Sequence, residues 1–537
     1  MKRRDFLATL SGTGSELAQT PIKGGKPRIS SGLTPFTGNL DKRKALHLLR
    51  RLNFAPTPEL LTQIIGKTAD AAADLLLGTG SETLPPQPNA GWDTTIEENP
   101  LTVGTNVIRF EIEGRVRARY TQFVDWWLEQ MRTAPLQSRE KLTLFWSTVW
   151  CINFQYDTQA LIPPPLLFKN NQVLRRNAIG NYKPFVQDVT LDGAMLMYQS
   201  LFYSSKEAPN ENYMRELMEL FTMGIFNVIN GEQNYTEADI KEGSRMLTGW
   251  RTHAYKYQEN TLKGDFETYF YPPAHDCNAK EFMKTTFPAR DQAANTEDQV
   301  LNQEIIPLIN TLFTKKSLAI AGFICSKIYR YFVYSNTDSD DTEFIGELAQ
   351  VFINADWSLR PVFKAIFTSQ HFYDDRNIGI QIKTPPEFIV GLETQLGVKY
   401  TAARDAVNTL DQVLYDPPNV GSWKAYRTWI STNTYPYRVK FANEILALAT
   451  DAQLIALAKK MEKFDTPNDI VKNLEDYFFA NPIETSRHDA YKQLLITSSG
   501  TNDAGWSALI TAGDSKAAKA VRDLITEFFH APDFQLL

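Results

Sequence analysis

Apolar residues recur three and four apart along most of the chain, the period of a helix with one buried face. DKRKALHLLRRLNF, from Asp41, puts Ala45, Leu48, Leu49 and Leu52 on one side. PTPELLTQIIGKTADAAADLLLG continues with two short helices, the second closed by Gly78, because glycine takes the left-handed conformation at a helix end freely. Residues 79–105 are rich in Pro, Gly and Asn and read as a loop. EGRVRARYTQFVDWWLEQMRTAP predicts a long helix stopped by Pro135, and SREKLTLFWSTVWCINF a further one with Ser138 as its N-cap. After the proline run at 163–165, helices are expected at 166–178, 184–189 and 193–203.

PNENYMRELMELFTMG, residues 209–224, divides cleanly at the helical period. Glu211, Asn212, Arg215, Glu216, Glu219 and Thr222 fall on one side, and Tyr213, Met214, Leu217, Met218, Leu220 and Phe221 on the other. Asn210 is its expected cap and Gly224 its end. In TEADIKEGSRMLTGW, Thr236 and Asp239 have capping-box spacing. Residues 251–300 mix aromatics with prolines and predict loop with a short hairpin. Helical patterning returns from 307 to 334 and at 342–354, 358–369, 386–397 and 401–412. DPPNVGSWKAYRTW is turn-rich, and the tail from Pro436 is helical with a polar linker near 497–504.

Alternating runs are scarce, so the fold class expected is all-α: a large multi-helix, bundle-like assembly with long loops and little or no sheet. Four regions are expected. Residues 1–39 form a short export signal and linker, and 40–250 an N-terminal helical region with the main motif block. Residues 251–300 form an irregular region, and 301–537 a C-terminal helical region packed on the first.

Composition narrows the function classes. Hydrophobic residues make up 43 % and charged residues 22 %, which is globular and not disordered. The net charge of -6, with no basic block, argues against nucleic acid as a partner. No apolar run is long enough for a transmembrane segment. Cys151, Cys277 and Cys325 are far apart and odd in number, so neither a disulfide framework nor a paired-cysteine zinc site is expected. MKRRDFLATL looks like a twin-arginine export signal with a very short apolar part. Export to the periplasm or outside the cell is expected; a signal too short to function would leave the protein cytoplasmic.

REKLTLFW, PNENYMRELMELFTMG, YTEADIKEGSRMLTGW, HDCNAK, KTPPEFIVG, PPNVGSW and APDFQ occur here in the order of one bacterial family, and HLLRRLNFAPTPELL fits its opening. From about Leu40 onward the chain resembles the family called domain of unknown function 1800. The resemblance implies an exported protein, often encoded beside a sulfatase- or phosphatase-like exported protein that is a candidate partner. It supplies no catalytic residues. After Leu-Phe-Trp the family pattern is His-Asn-His-Phe, whereas this chain has Ser147, Thr148, Val149 and Trp150. A His-x-His pair is a plausible metal-ligand pair, and Ser147 and Val149 cannot replace it. No metal-ligating residue and no cofactor are therefore assigned: if the family holds a metal there, this chain has lost it or holds it differently.

Several residues are candidates for chemistry. On patterning alone, Glu211–Arg215–Glu219 is a solvated ladder contributing about 0.2–0.5 kcal/mol per pair. The shared motif block points instead to a polar face buried against YTEADI and LTGW, with Arg215 holding Glu216, Glu219 or another carboxylate. The catalytic candidates are Glu216, Glu219, Asp239, His275 and Asp276; the binding candidates are Asn210, Asn212, Arg215, Arg245 and Lys280. Asp239 is fully explained by capping. Arg245 and Arg251 are placed to reach carboxylates of the 209–224 helix. His275-Asp276, in an aromatic loop, can supply a ligand, acid or base; the alternative is a histidine bonded to its own loop. PPNVGSWKAYRTW reads as a loop packed down by its large residues, although such aromatics also bind sugars or peptides. Two functions remain open. One is a non-catalytic or degenerate partner-binding or assembly protein. The other is an exported hydrolase acting on an extracellular polymer through carboxylates and a histidine, with or without a metal.

Overall fold

Side-chain caps decide where most of the helices begin. Asp41, Thr57, Thr68, Thr105, Asn181, Asp192, Thr384, Thr450, Thr466 and Asn502 each accept a backbone N–H from the first turn of the helix that follows. This satisfies a donor that has no partner inside the helix. Ser138 is a correction. The helix starts at Gln137, two residues earlier than a Ser138 cap requires, and the buried Ser138 hydroxyl donates to the Leu76 carbonyl.

The structure is a computed structural model that describes residues 32–537, apart from 82, 103–104, 135, 158–159, 257–264, 338 and 461. The export signal expected at the N-terminus lies outside the described residues. The fold is mostly helical. The long helix runs from Asn106 to Thr133, beginning earlier than its periodicity suggests because Thr105 caps it. No single helix among the described residues is long and apolar enough to cross a membrane.

Sheet among the described residues is confined to three two-stranded antiparallel pairs. Two frame the 251–300 region. Trp250–Thr252 pairs with Thr268–Phe270, Trp250 facing Phe270, and Lys280–Phe282 pairs with Thr285–Phe287. The second pair turns through Met283 and Lys284, at φ 49° and 59°, the sign that a two-residue hairpin turn of this handedness requires.

One apolar core runs through residues 32–537, from Leu40 to Phe534. Trp146 lies at its centre, stacked on Tyr182 at 5.6 Å and meeting Phe185 edge-on at 5.1 Å. Tyr182 also meets Phe313 and Phe352, so helices before and after the 251–300 region share this core. The helix Pro385–Leu396 approaches so closely that a Cβ on Gly391 would lie 2.8 Å from the Phe54 carbonyl oxygen.

Candidate functional site

The motif helix begins as expected. The Asn210 side chain accepts the Tyr213 N–H at 2.9 Å and donates to the Gln199 carbonyl. Asn212 bonds the Gln199 side chain. After Glu211–Glu216 the helix widens into a π-turn over Leu217–Thr222 before ending at Gly224, φ 75°. A π-turn accommodates an extra residue and shifts the face that follows, and Glu219 lies within it, 6 % exposed. The polar face is therefore divided. Glu211 and Asn212 are exposed and Arg215 half-buried, whereas Glu216, Glu219 and Thr222 are buried. Arg215 forms a bidentate pair with Glu237 at 2.9 and 2.6 Å and approaches Glu219 at 3.7 Å. The Tyr235 hydroxyl donates to Glu219. Glu237, in the first turn of the next helix, is the partner that spacing within the first helix did not indicate.

Asp239 closes the capping box with Thr236 and also accepts the Met283 N–H at 3.0 Å. It thereby holds the positive-φ hairpin turn against the Glu237–Met246 helix. Arg245 does not reach the carboxylates of the 209–224 helix. It donates to Asp276 at 2.7 Å and to Glu242 at 2.7 Å. Arg251 donates to the Ser204 carbonyl.

His275 and Lys280 meet at a carboxylate the motifs did not indicate, Glu304. It lies on a second π-turn, Leu301–Ile305, and is 2 % exposed. Glu304 Oε1 accepts from Lys280 at 3.0 Å and from Arg290 at 2.9 Å. His275 is fully buried. Its Nδ1 lies 2.8 Å from the Thr248 carbonyl and can only donate there, so Nε2 carries the lone pair and accepts from Arg290 at 2.7 Å. Glu304 Oε2, 3.4 Å from that nitrogen, has no donor among the described residues. Burial works against the charge on Glu304, but the Lys280 ammonium holds its carboxyl below the usual range. Asp276 is handled alike: burial opposes its charge, while Arg245, the Asn278 N–H and Lys280 depress it. Both ring nitrogens of His275 and both oxygens of Asp276 are engaged. Four cavities of the described residues are lined by other residues.

A second buried network joins stretches that carried the resemblance without supplying candidates. Glu140 takes a bidentate bond from Arg175, 2.7 Å on each oxygen, and the Trp127 indole N–H. Lys141 pairs with Glu387 at 2.6 Å and donates to the Arg50 and Asn53 carbonyls. Lys383 and Arg438 meet the C-terminal stretch through the Phe534 carbonyl and the Gln535 side chain. Burial pushes the Arg51 and Arg438 guanidinium groups down to about 9, with Glu387 opposing the shift. The signal was present in REKLTLFW, KTPPEF and APDFQ, where charges sit inside apolar runs.

Ser147 and Val149, in place of the family's histidine pair, do not form a ligand set. The Ser147 hydroxyl donates to the Leu144 carbonyl, and Val149 is buried. Among the described residues no three His, Cys, Asp or Glu side chains converge on a metal position.

The helix that ends at Val149 leads to the largest of the four cavities, about 640 Å³. Asn153, Asn408, Asp411, Val413, Asp416, Pro417, Pro418, Trp423, Lys424, Thr428 and Trp429 line it. The loop is not simply packed down by its large residues. Trp429 is buried, but Trp423 is half-buried, with its indole N–H shielded and unpartnered among the described residues. Asp411, Tyr415, Ser422 and Tyr426 hold φ values of 71°, 58°, 84° and 61°, each costing roughly 1–3 kcal/mol unless the surroundings enforce it. At Tyr415 they do: its hydroxyl donates to Asn170 at 3.0 Å and its carbonyl accepts the Phe154 N–H at 2.6 Å, while Tyr120 and Asn153 donate to the neighbouring Leu414 and Pro417 carbonyls.

Fold and site together define a class: a helical protein whose charged motifs form buried ion-pair networks and which also carries an aromatic and polar cleft. The chain belongs to the family described as protein of unknown function (DUF1800), whose model matches residues 47–536. No curated protein and no solved structure matches the chain.

Proposed function

We propose that this is a non-catalytic binding or assembly protein whose motif block is a structural brace. One observation carries the reading. His275, Asp276, Lys280 and Glu304 are buried and bonded to one another and to Arg245, Arg290 and Thr248. A general base must come within hydrogen-bond reach of a substrate proton, and a histidine occupied on both nitrogens in a closed core does not. Glu219 is likewise held by Tyr235 and Arg215. Asp239 serves as a cap and turn anchor.

The test is to incubate the full chain with polysaccharide, polyester and peptide polymers and follow release of soluble product. No turnover is expected. Turnover that disappears in a folded His275→Gln or Glu219→Gln variant would overturn the reading in favour of a hydrolase.

A further inference from the structure

We propose that the cleft formed by residues 411–429 is a carbohydrate-binding site for a neutral or amino-bearing oligosaccharide. This deepens the binding reading above and rests on it for the role of the protein, not for the existence of the site.

The argument starts from the lining. A sugar ring has an apolar C–H face and a rim of hydroxyls, so its receptor needs a flat aromatic surface beside short planar hydrogen-bonding groups. Half-buried Trp423 supplies the aromatic surface, buried Trp429 a smaller part of the lining, and Asn408, Asp411 and Asp416 the rim. A carboxylate or carboxamide presents two polar atoms that match adjacent hydroxyls. The 640 Å³ volume falls in the ~300–1,000 Å³ range of ligand pockets, enough for a short oligosaccharide. Val413 and two prolines are the aliphatic lining, which gives little room for the large apolar anchors a peptide uses.

Charge sets the selectivity. The lining holds two carboxylates, Asp411 and Asp416, against one cation, Lys424, with Arg117 acting on Asp416 from outside the lining. An added uronate or sulfate would meet two carboxylates, and an amino group would be welcomed by them. One wall of the loop is held in place: Tyr415, at positive φ, is bonded to Phe154 and Asn170, and the neighbouring Leu414 and Pro417 carbonyls accept from Tyr120 and Asn153. A receptor held in the bound shape loses less freedom on binding.

The experiment is titration calorimetry of the full chain with neutral, amino-bearing and uronate-bearing oligosaccharides of equal length, and a peptide control. Neutral and amino-bearing sugars are expected to bind, with the uronate at least tenfold weaker. Trp423→Ala is expected to lose tenfold or more, Trp423→Phe to retain most affinity, and Asp416→Asn to lose the preference for the amino-bearing sugar. Should Trp423→Ala fail to fold, the Trp423→Phe and Asp416→Asn variants still decide. No binding by any sugar, tightest binding by the uronate or the peptide, or unchanged selectivity in Asp416→Asn overturns the proposal. Product release is followed in the same samples. Bound sugar that is cleaved sinks the non-catalytic reading and leaves the site standing, whereas the absence of sugar binding does the reverse.

Discussion

Glu304→Gln is the sharpest test of the brace. The substitution keeps shape and removes the charge that faces Lys280 at 3.0 Å and Arg290 at 2.9 Å. At an effective dielectric of about 20, each such pair carries a gross attraction of roughly 5–6 kcal/mol. Desolvation offsets most of that in the intact network, so the pairs add little net stability. Removing one member is different, because two buried cations lose their counter-charge, and the expected cost is about 3–5 kcal/mol.

The pH dependence follows from the direction of the shift. Glu304 is held below the usual carboxylate range in the folded state. Its contribution is therefore complete above the unfolded value of about 4.3 and is lost as pH falls through the lower folded value. Wild type and variant should differ fully at neutral pH and converge in acid. The measurement is denaturant unfolding, together with hydrogen exchange of the Lys280–Phe287 hairpin, since a chain of this length need not unfold in one step. A Glu304→Gln/Lys280→Met cycle isolates the coupling. A cost under about 1 kcal/mol, strict additivity in the cycle, or a gap that persists in acid would refute the reasoning.

Three further outcomes are expected. Asp239→Ala removes both the capping box and the acceptor for the Met283 N–H, and should cost about 1–2 kcal/mol and raise exchange at the hairpin turn. Gly391→Ala places a Cβ 2.8 Å from the Phe54 carbonyl oxygen, and should cost about 1–3 kcal/mol in denaturant midpoint with the helical signal retained. Burial pushes the Asp192 carboxyl up to about 7, against the Met195 N–H and Asn170 bonds. A carboxyl raised on folding lowers stability progressively from its unfolded pKa up to its folded one, so Asp192→Asn should gain at most about 4 kcal/mol above pH 7 and close to nothing near pH 4. Equal effects at both pH values would contradict this.

The helices were legible in the sequence because a period and a cap are local properties. Asn210, Thr236 and Thr384 declare their helices in a few residues, and the fold class followed from the scarcity of alternation. The motif block was also legible as a block, with Asp239 correctly read as a cap. What sequence could not supply was partnership across the chain. Arg245 meets Asp276 rather than the 209–224 helix, Lys280 meets Glu304, and Lys141 meets Glu387, because ion pairs between distant segments leave no spacing signal. Nor does helical periodicity announce the two π-turns that place Glu219 and Glu304, each a single-residue departure from the helical repeat. The aromatic loop at 411–429 was visible as composition. Only the tertiary structure shows the bonds from Tyr120, Phe154 and Asn170 that fix Leu414 and the positive-φ Tyr415, since strained backbone persists only where surrounding structure enforces it.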